Sequence, residues 1–574
     1  MSVWHKIWRV GKPVLEVGAA VVLVLALTLI PMLSGTNAAV IPTLEGVAVA
    51  STSASTNGPL SGAQSAFVNE VGCMSKLSAD PANNMVNYWP SIGAAEHVDN
   101  IKTGSYPCGT WTGDFNGSNQ VYQYKSDTTY SQILFITFKG PNDAYLMGGS
   151  AGPPSPGQYV SKFDPSTGRE IWRTTLTNVN LSGQWMAAGS MAIYKDGSIL
   201  AAAGPNLWRL DSDTGRILAS GTVPIDPSVQ PATGANLDGL TLAPDERGTI
   251  LMKTQTRPNG CPTQGNQAMS ACQQQYGPQP NTTVVAVDPV TLTTLATLTL
   301  DQSVTARPIT TAYDGTIYMY MNAAKTLLRV VWDPASSTLR TDPSWQPAVI
   351  QDGQTGGTAP GVLGKWIVWN TNANPSQTAP QCAGTVSQAD PTDIHRVCPW
   401  GNTMPAGATT SETPALPGVD PVTSQVYFQD WFLGGVHAYR VDQNTGDLTD
   451  VWSRDDWITS DYFTMVGPAD QRVLVSQNLE PNFKKGLAGS TYRESVLWVN
   501  SANGATVAES AHNSATAWGS LINLGYGGRW YSMGLNGTIY IYQVSACSAM
   551  IPGAQPAVPQ PTTNCASQTS GGGG

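Results

Sequence analysis

One short phrase recurs eight times along this 574-residue chain, and it narrows the available folds more than any other feature. Each copy is an apolar, β-branched or aromatic run entered through a turn. The copies are NDAYLMGG from Asn142, DGSILAAA from Asp196, GTILMKTQ from Gly248, DGTIYMYM from Asp314, GKWIVWN from Gly364, SQVYFQDW from Ser424, QRVLVSQ from Gln471 and GRWYSMG from Gly528. They stand about 55 residues apart on average, slightly more than common blade repeats.

A second phrase follows several of these runs: another short strand, then Asp-x-x-Thr-Gly, then a third strand. It is clearest in FDPSTGREIW (Phe163 to Trp172), RLDSDTGRIL (Arg209 to Leu218) and RVDQNTGDL (Arg440 to Leu448), with looser copies near Asp288, Asp333 and Asn500. The Asp or Asn side chain starts such a turn by accepting from the backbone, and Gly closes it at positive φ. The copy at Gly364 has no such partner. A long period built from about four short strands predicts an all-β protein, an eight-bladed β-propeller with seven blades as the alternative. A sandwich needs no eightfold phrase, and no helical period intervenes to suggest an α/β fold. The run Gly537 to Val544 is expected to close the ring against a strand within residues 119–138.

The phrase Asp-x-x-Thr-Gly-x-x-x-Trp, complete at Asp164, Thr167, Gly168 and Trp172, resembles the repeat of quinoprotein-type, pyrroloquinoline-quinone-like propellers over residues 119–546. The resemblance implies that the repeat Gly and Trp lock neighbouring blades, so Trp172, Trp208, Trp332 and Trp498 are expected between blades. Quinone-dependent members resemble one another in an adjacent-cysteine disulfide, a tryptophan floor and a calcium site with a catalytic Asp. This chain has no Cys-Cys pair and no CxxCH haem motif, and no calcium ligand set can be matched residue by residue. Related lipoprotein propellers serve in outer-membrane assembly, but no lipid-anchor cysteine follows the first apolar run here, so that role is not carried over.

Ahead of the repeats, His5, Lys6, Arg9 and Lys12 precede an apolar run from Val17 to Leu33, and the next basic residue is Lys76. That asymmetry predicts an N-terminus on the cytoplasmic side and the rest of the chain outside. Residues 1–33 therefore read as a signal anchor or, alternatively, a cleaved signal peptide. Residues 34–64, rich in Ser, Thr, Ala and Gly, read as a flexible linker, 65–546 as the propeller and 547–574 as a disulfide-linked, Gly-rich tail. The eight cysteines fall into neighbours along the chain: Cys73 and Cys108, Cys261 and Cys272, Cys382 and Cys398, Cys547 and Cys565. Their spacing fits no zinc site, and disulfides suit an exported chain.

Signals of chemistry are sparse. Motifs for a nucleophile elbow, a zinc helix and a phosphate loop are missing. His97, His395, His437 and His512 are scattered and read as structural. Only 12% of residues are charged, and the formal charge of −10 offers nucleic acid no basic footprint. The connection Ser453-Arg454-Asp455-Asp456-Trp457, followed by Asp461, carries carboxylates that could hold Ca²⁺, against the plainer reading of a solvated acidic loop. Three insertions are expected on one face of the ring, after second strands: Cys261 to Cys272, Cys382 to Cys398, and Asn478 to Glu494 with Lys484, Lys485 and Arg493. Trp185 and Trp518 are candidate stacking platforms for a sugar or ring system near the channel.

The expected function is a non-enzymatic, exported, membrane-tethered propeller acting as a protein-interaction platform in the cell envelope. The alternatives are an exported quinone- or calcium-dependent oxidoreductase and a carbohydrate-binding propeller. No cofactor is expected on the first reading. The partner is an envelope or membrane protein, and carbohydrate remains the third choice.

Overall fold

The computed structural model describes residues 62–78 and 85–547, apart from 116–117, 132–134, 150–156, 177–189, 225–234, 257–274, 276, 279, 305–308, 374–378, 409, 414, 481–492, 515–520 and 535. Its strands form eight sheets of four or more strands, and in seven of them the blade's own four main strands follow one another in the chain. The chain is an eight-bladed β-propeller.

All eight repeated runs are the second strand of a blade: Asp143–Gly148, Ile199–Ala203, Ile250–Thr256, Ile317–Met321, Trp366–Asn372, Gln425–Gln429, Val473–Leu479 and Arg529–Met533. Each is packed by its own blade's neighbours and by the adjacent blades on both faces. Ile199–Ala203, Ile250–Thr256 and Ile317–Met321 are buried at every position; the first and third are wholly apolar or aromatic, whereas Ile250–Thr256 also buries Lys253, Thr254, Gln255 and Thr256. At the rim, by contrast, Glu170–Thr175 and Ile217–Thr222 alternate between half-buried and exposed. The ring closes as expected: Ile539–Ala546 pairs antiparallel with Asn119–Lys125, so an early strand completes the last blade. Closure of this kind ties the two ends of the ring together without leaving a free blade.

The Asp-x-x-Thr-Gly turns join third to fourth strands and seat against the preceding blade. In blade 2, Asp211 accepts from the backbone N–H groups of Asp213 and Thr214. The turn ends at Gly215, φ +71°, where a Cβ would stand 2.7 Å from the Trp172 ring of blade 1. Blade 3 solves the same junction with the bulk exchanged. Leu292 holds the turn position at φ +58°, and Gly221 of blade 2 gives it room. Trp208 and Trp498 are fully buried and Trp332 nearly so. Trp498 of blade 7 meets Trp530 of blade 8 edge-on at 5.9 Å between centroids. The expectation that repeat tryptophans pack between blades holds.

Two observations lie outside the repeat. The helix Gly62–Ser78 sits on the face that carries the turns between first and second strands, with Glu70 accepting from the Gly527 N–H at 2.8 Å. Residues 85–109 then enter the ring itself. They bridge to the innermost strands of blade 1 (Gly93 to Phe138), blade 2 (Ala95 to Ala192) and blade 7, where Ser105–Tyr106 runs parallel to Thr464–Val466. Asn100 bonds Leu242 of blade 3 and accepts from the Thr311 N–H of blade 4. The axis of the propeller is therefore filled by the chain's own segment. The Cys73–Cys108 disulfide ties that segment back to the helix.

Candidate functional site: the ring axis and the loop face

At the tip of the axial segment, Glu96, His97, Asp99 and Lys102 are packed into the middle of the ring. Glu96 accepts from Ser190 Oγ of blade 2 at 2.6 Å and lies 3.2 Å from His97 Nε2. Asp99 accepts from the Thr103 N–H and hydroxyl, and Lys102 Nζ reaches the Glu96 carbonyl at 3.4 Å. The backbone here is bent into positive φ at His97 (56°), Val98 (76°), Lys102 (59°) and Gly104 (66°). For a β-branched residue such as Val98 that conformation is strained, and it persists because the surrounding blades dictate it.

Burial sets the electrostatics of this cluster. It pushes the Asp99 carboxyl up to about 6, against the hydrogen bonds from Thr103. It also pulls Lys102 down, against the carboxylates of Glu96, Asp99 and Asp238. Burial acts the same way on Glu96, but the His97 hydrogen bond and the Lys102 charge outweigh it and hold that carboxyl at about 2. The tip is thus a network of buried ionisable groups that hold one another. Above it, a small cavity is lined by His97, Lys102, Leu416, Tyr462 and Phe463. Nearby, Arg472 forms a fully buried ion pair with Asp420 at 2.8 Å and donates to Ser105 Oγ at 2.6 Å. One guanidinium thereby joins blade 6, blade 7 and the axial segment.

The sequence-derived candidates are dispersed. Asp455 and Asp456 follow the fourth strand of blade 6, as expected. Asp456 is engaged by Arg454 at 2.7 Å, and Arg454 also reaches the Gly504 carbonyl and Thr506 Oγ1 of blade 7. Asp461 is fully buried, and its backbone carbonyl accepts from Gln429. Among the described residues no group of three or more His, Cys, Asp or Glu side chains is assembled to hold a metal. Arg493 opens the third strand of blade 7 and donates to the His512 carbonyl. Trp185, Lys484, Lys485, Trp518, Cys261, Cys272, Cys565 and the N-terminal 1–33 segment lie outside the described residues.

Two of the cysteine pairs are disulfides as read, Cys73–Cys108 and Cys382–Cys398, and Cys547 is also disulfide-bonded. The second pair does not staple an insertion. Cys382 precedes the third strand of blade 5, Ala383–Ser387, and Cys398 follows its fourth, Ile394–Val397. Those strands are short and poor in large apolar residues, so the hairpin reads as a loop. Among the described residues no helix is long and apolar enough to cross a membrane.

Sequence reasoning missed the axial segment, and with it Glu96, Asp99 and Lys102. The only available hints were Cys108 and the turn formers Pro90, Gly93, Pro107 and Gly109.

No protein-family model matches the chain, and no curated protein matches it. Solved structures do. A quinohemoprotein alcohol dehydrogenase from Comamonas testosteroni superposes with a TM-score of 0.50 at 10% identity, covering 87% of this chain and 85% of that one. A second quinohemoprotein alcohol dehydrogenase, from Pseudomonas putida HK5, gives 0.42 at 12% identity over 86% and 83% of the two chains. BamB from Moraxella catarrhalis gives 0.38 at 14% identity over 74% and 99%. At these identities the likeness is one of fold.

Proposed function

We propose that the chain is an exported, non-enzymatic propeller, tethered to the cell membrane by its N-terminal segment with the ring on the extracytoplasmic side, where it presents its faces and rim to an envelope or membrane protein. The filled axis carries this reading. In an open propeller the central channel is the natural concave site for a small ligand. Here residues 85–109 take that place, which leaves the outer surfaces for recognition. The disulfides at Cys73–Cys108 and Cys382–Cys398 suit an oxidising compartment and support export.

Cross-linking the full chain in its native membranes, followed by mass spectrometry, tests the reading. The control is residues 62–574 exported without the preceding segment. A single near-stoichiometric protein partner, retained over the control, is the expected result. Failure to capture one, together with saturable quenching of tryptophan fluorescence by Ca²⁺ or a quinone, would move the function to the oxidoreductase alternative.

A further inference from the structure

The loop face of blade 6 gathers three side chains from three separate stretches of sequence. Trp400 lies in the connection from blade 5, just past Cys398, whose bond to Cys382 pins the root of that connection. Its indole Nε1 donates to the Gly434 carbonyl at 2.8 Å. His437, near the start of the third strand of blade 6, meets the Trp400 ring edge-on, with centroids 4.9 Å apart and planes at 77°. Asp455 arrives from the connection to blade 7. Gly435 is the corner they share: a Cβ there would stand 3.6 Å from Trp400 Nε1 and 3.7 Å from Asp455 Oδ1.

Apart from the Trp400 N–H, the polar side-chain groups at this corner are uncommitted. Asp456 is paired with Arg454. No hydrogen bond or ion pair within the protein engages the exposed Asp455 carboxylate or the ring nitrogens of His437 among the described residues. Burial holds His437 below its ordinary range, against the pull of Asp450 and Asp455, so the ring is neutral at pH 7. A neutral imidazole offers one donor and one acceptor, and a carboxylate offers acceptors only.

We propose that Trp400, His437 and Asp455 form a binding subsite for a neutral sugar ring on the loop face of blade 6. Sugar hydroxyls both donate and accept, which matches the carboxylate beside an imidazole. The C–H face of a pyranose can lie on the partly exposed indole. A cationic ligand would use the carboxylate and the ring but leave the imidazole N–H unpaired. The disulfide beside Trp400 limits the freedom that binding would otherwise remove. This site is independent of the protein-partner reading and goes beyond it.

The test is titration of the full chain with cellohexaose, chitohexaose and maltohexaose, followed by calorimetry and tryptophan fluorescence. A lysine-rich hexapeptide serves as the cationic comparison. At least one oligosaccharide should bind saturably, and Trp400→Ala and Asp455→Asn should each weaken it about tenfold or more, or about 1.4 kcal/mol. Asp455 is exposed, so Asp455→Asn should leave the melting temperature unchanged and separates lost binding from lost fold. Saturation by none of the sugars overturns the proposal. So does binding that both variants retain, or binding of the peptide alone.

Discussion

The rim turns and the buried interior of this propeller shift several of their carboxyls in opposite directions. Glu96 is the interior exception, because His97 and Lys102 hold it low against its burial. At the rim, Asp211 and Asp442 accept backbone N–H groups of their own turns, and those bonds hold both carboxyls below the ordinary range. In the interior, burial pushes Asp99 and Asp430 up to about 6 and Glu412 up to about 7. The rim spreads its stabilisation over many small, repeated contacts that water can reach. The interior concentrates it in single-copy contacts that water cannot reach. A defect at one rim turn should therefore be tolerated, whereas a defect in the interior should be felt by the whole ring.

The largest effect is expected at Arg472. Its guanidinium is fully buried against Asp420 and also holds Ser105. Arg472→Ala would leave the Asp420 carboxylate buried and alone, a loss of about 3–5 kcal/mol. Chemical denaturation would read that loss. The double variant Arg472→Met with Asp420→Leu should recover much of it, because the stranded charge is gone. If Arg472→Ala costs no more than a rim substitution, the contrast between interior and rim fails.

At the rim, Gly215→Ala should cost about 2–3 kcal/mol, from an L-residue at positive φ and a Cβ driven towards Trp172. The exchanged junction allows a sharper test. Gly221→Ala should crowd Leu292, and Leu292→Gly should relieve its strained φ while opening a hole. If the two positions fit as one unit, the double variant will cost less than the sum of the singles. Strict additivity would mean that the exchange of bulk between Leu292 and Gly221 is coincidence.

The same contrast governs what the sequence disclosed. The blades were legible because each second strand is largely buried and carries a short apolar or aromatic stretch, and because Asp and Gly mark the turns by backbone chemistry alone. The axial segment was not. Residues 85–109 take their hydrogen bonds from blades 1, 2, 3, 4 and 7 in turn, so no period links them to their partners. The hairpin between Cys382 and Cys398 was missed because strands as small and polar as Ala383–Ser387 carry no local signal. Of the candidate site, Asp455 was legible only as one carboxylate of an acidic connection read for Ca²⁺ or solvent. Its neighbours Trp400 and His437 come from other stretches, and only the fold brings them to Gly435.

The smallest effects should appear as opposite slopes with pH. A carboxyl raised in the folded state, such as Glu412, adds stability that is complete below its ordinary value and is lost as pH rises through about 7. Glu412 Oε2 also has no hydrogen-bond partner among the described residues, which fits a proton held there. Glu412→Gln should therefore leave stability near pH 4.5 almost unchanged and raise it at pH 8 by about 1–2 kcal/mol. Asp211 runs the other way. Its lowered carboxyl adds stability above the ordinary range that is lost as pH falls below about 4. Asp211→Asn keeps the turn's acceptor, so at pH 7 it should change stability by less than about 0.5 kcal/mol while flattening the acid limb. Equilibrium denaturation of both variants across pH 3 to 9 would show this. If both shift the same limb, burial and turn geometry are not what separate the interior acids from those at the rim.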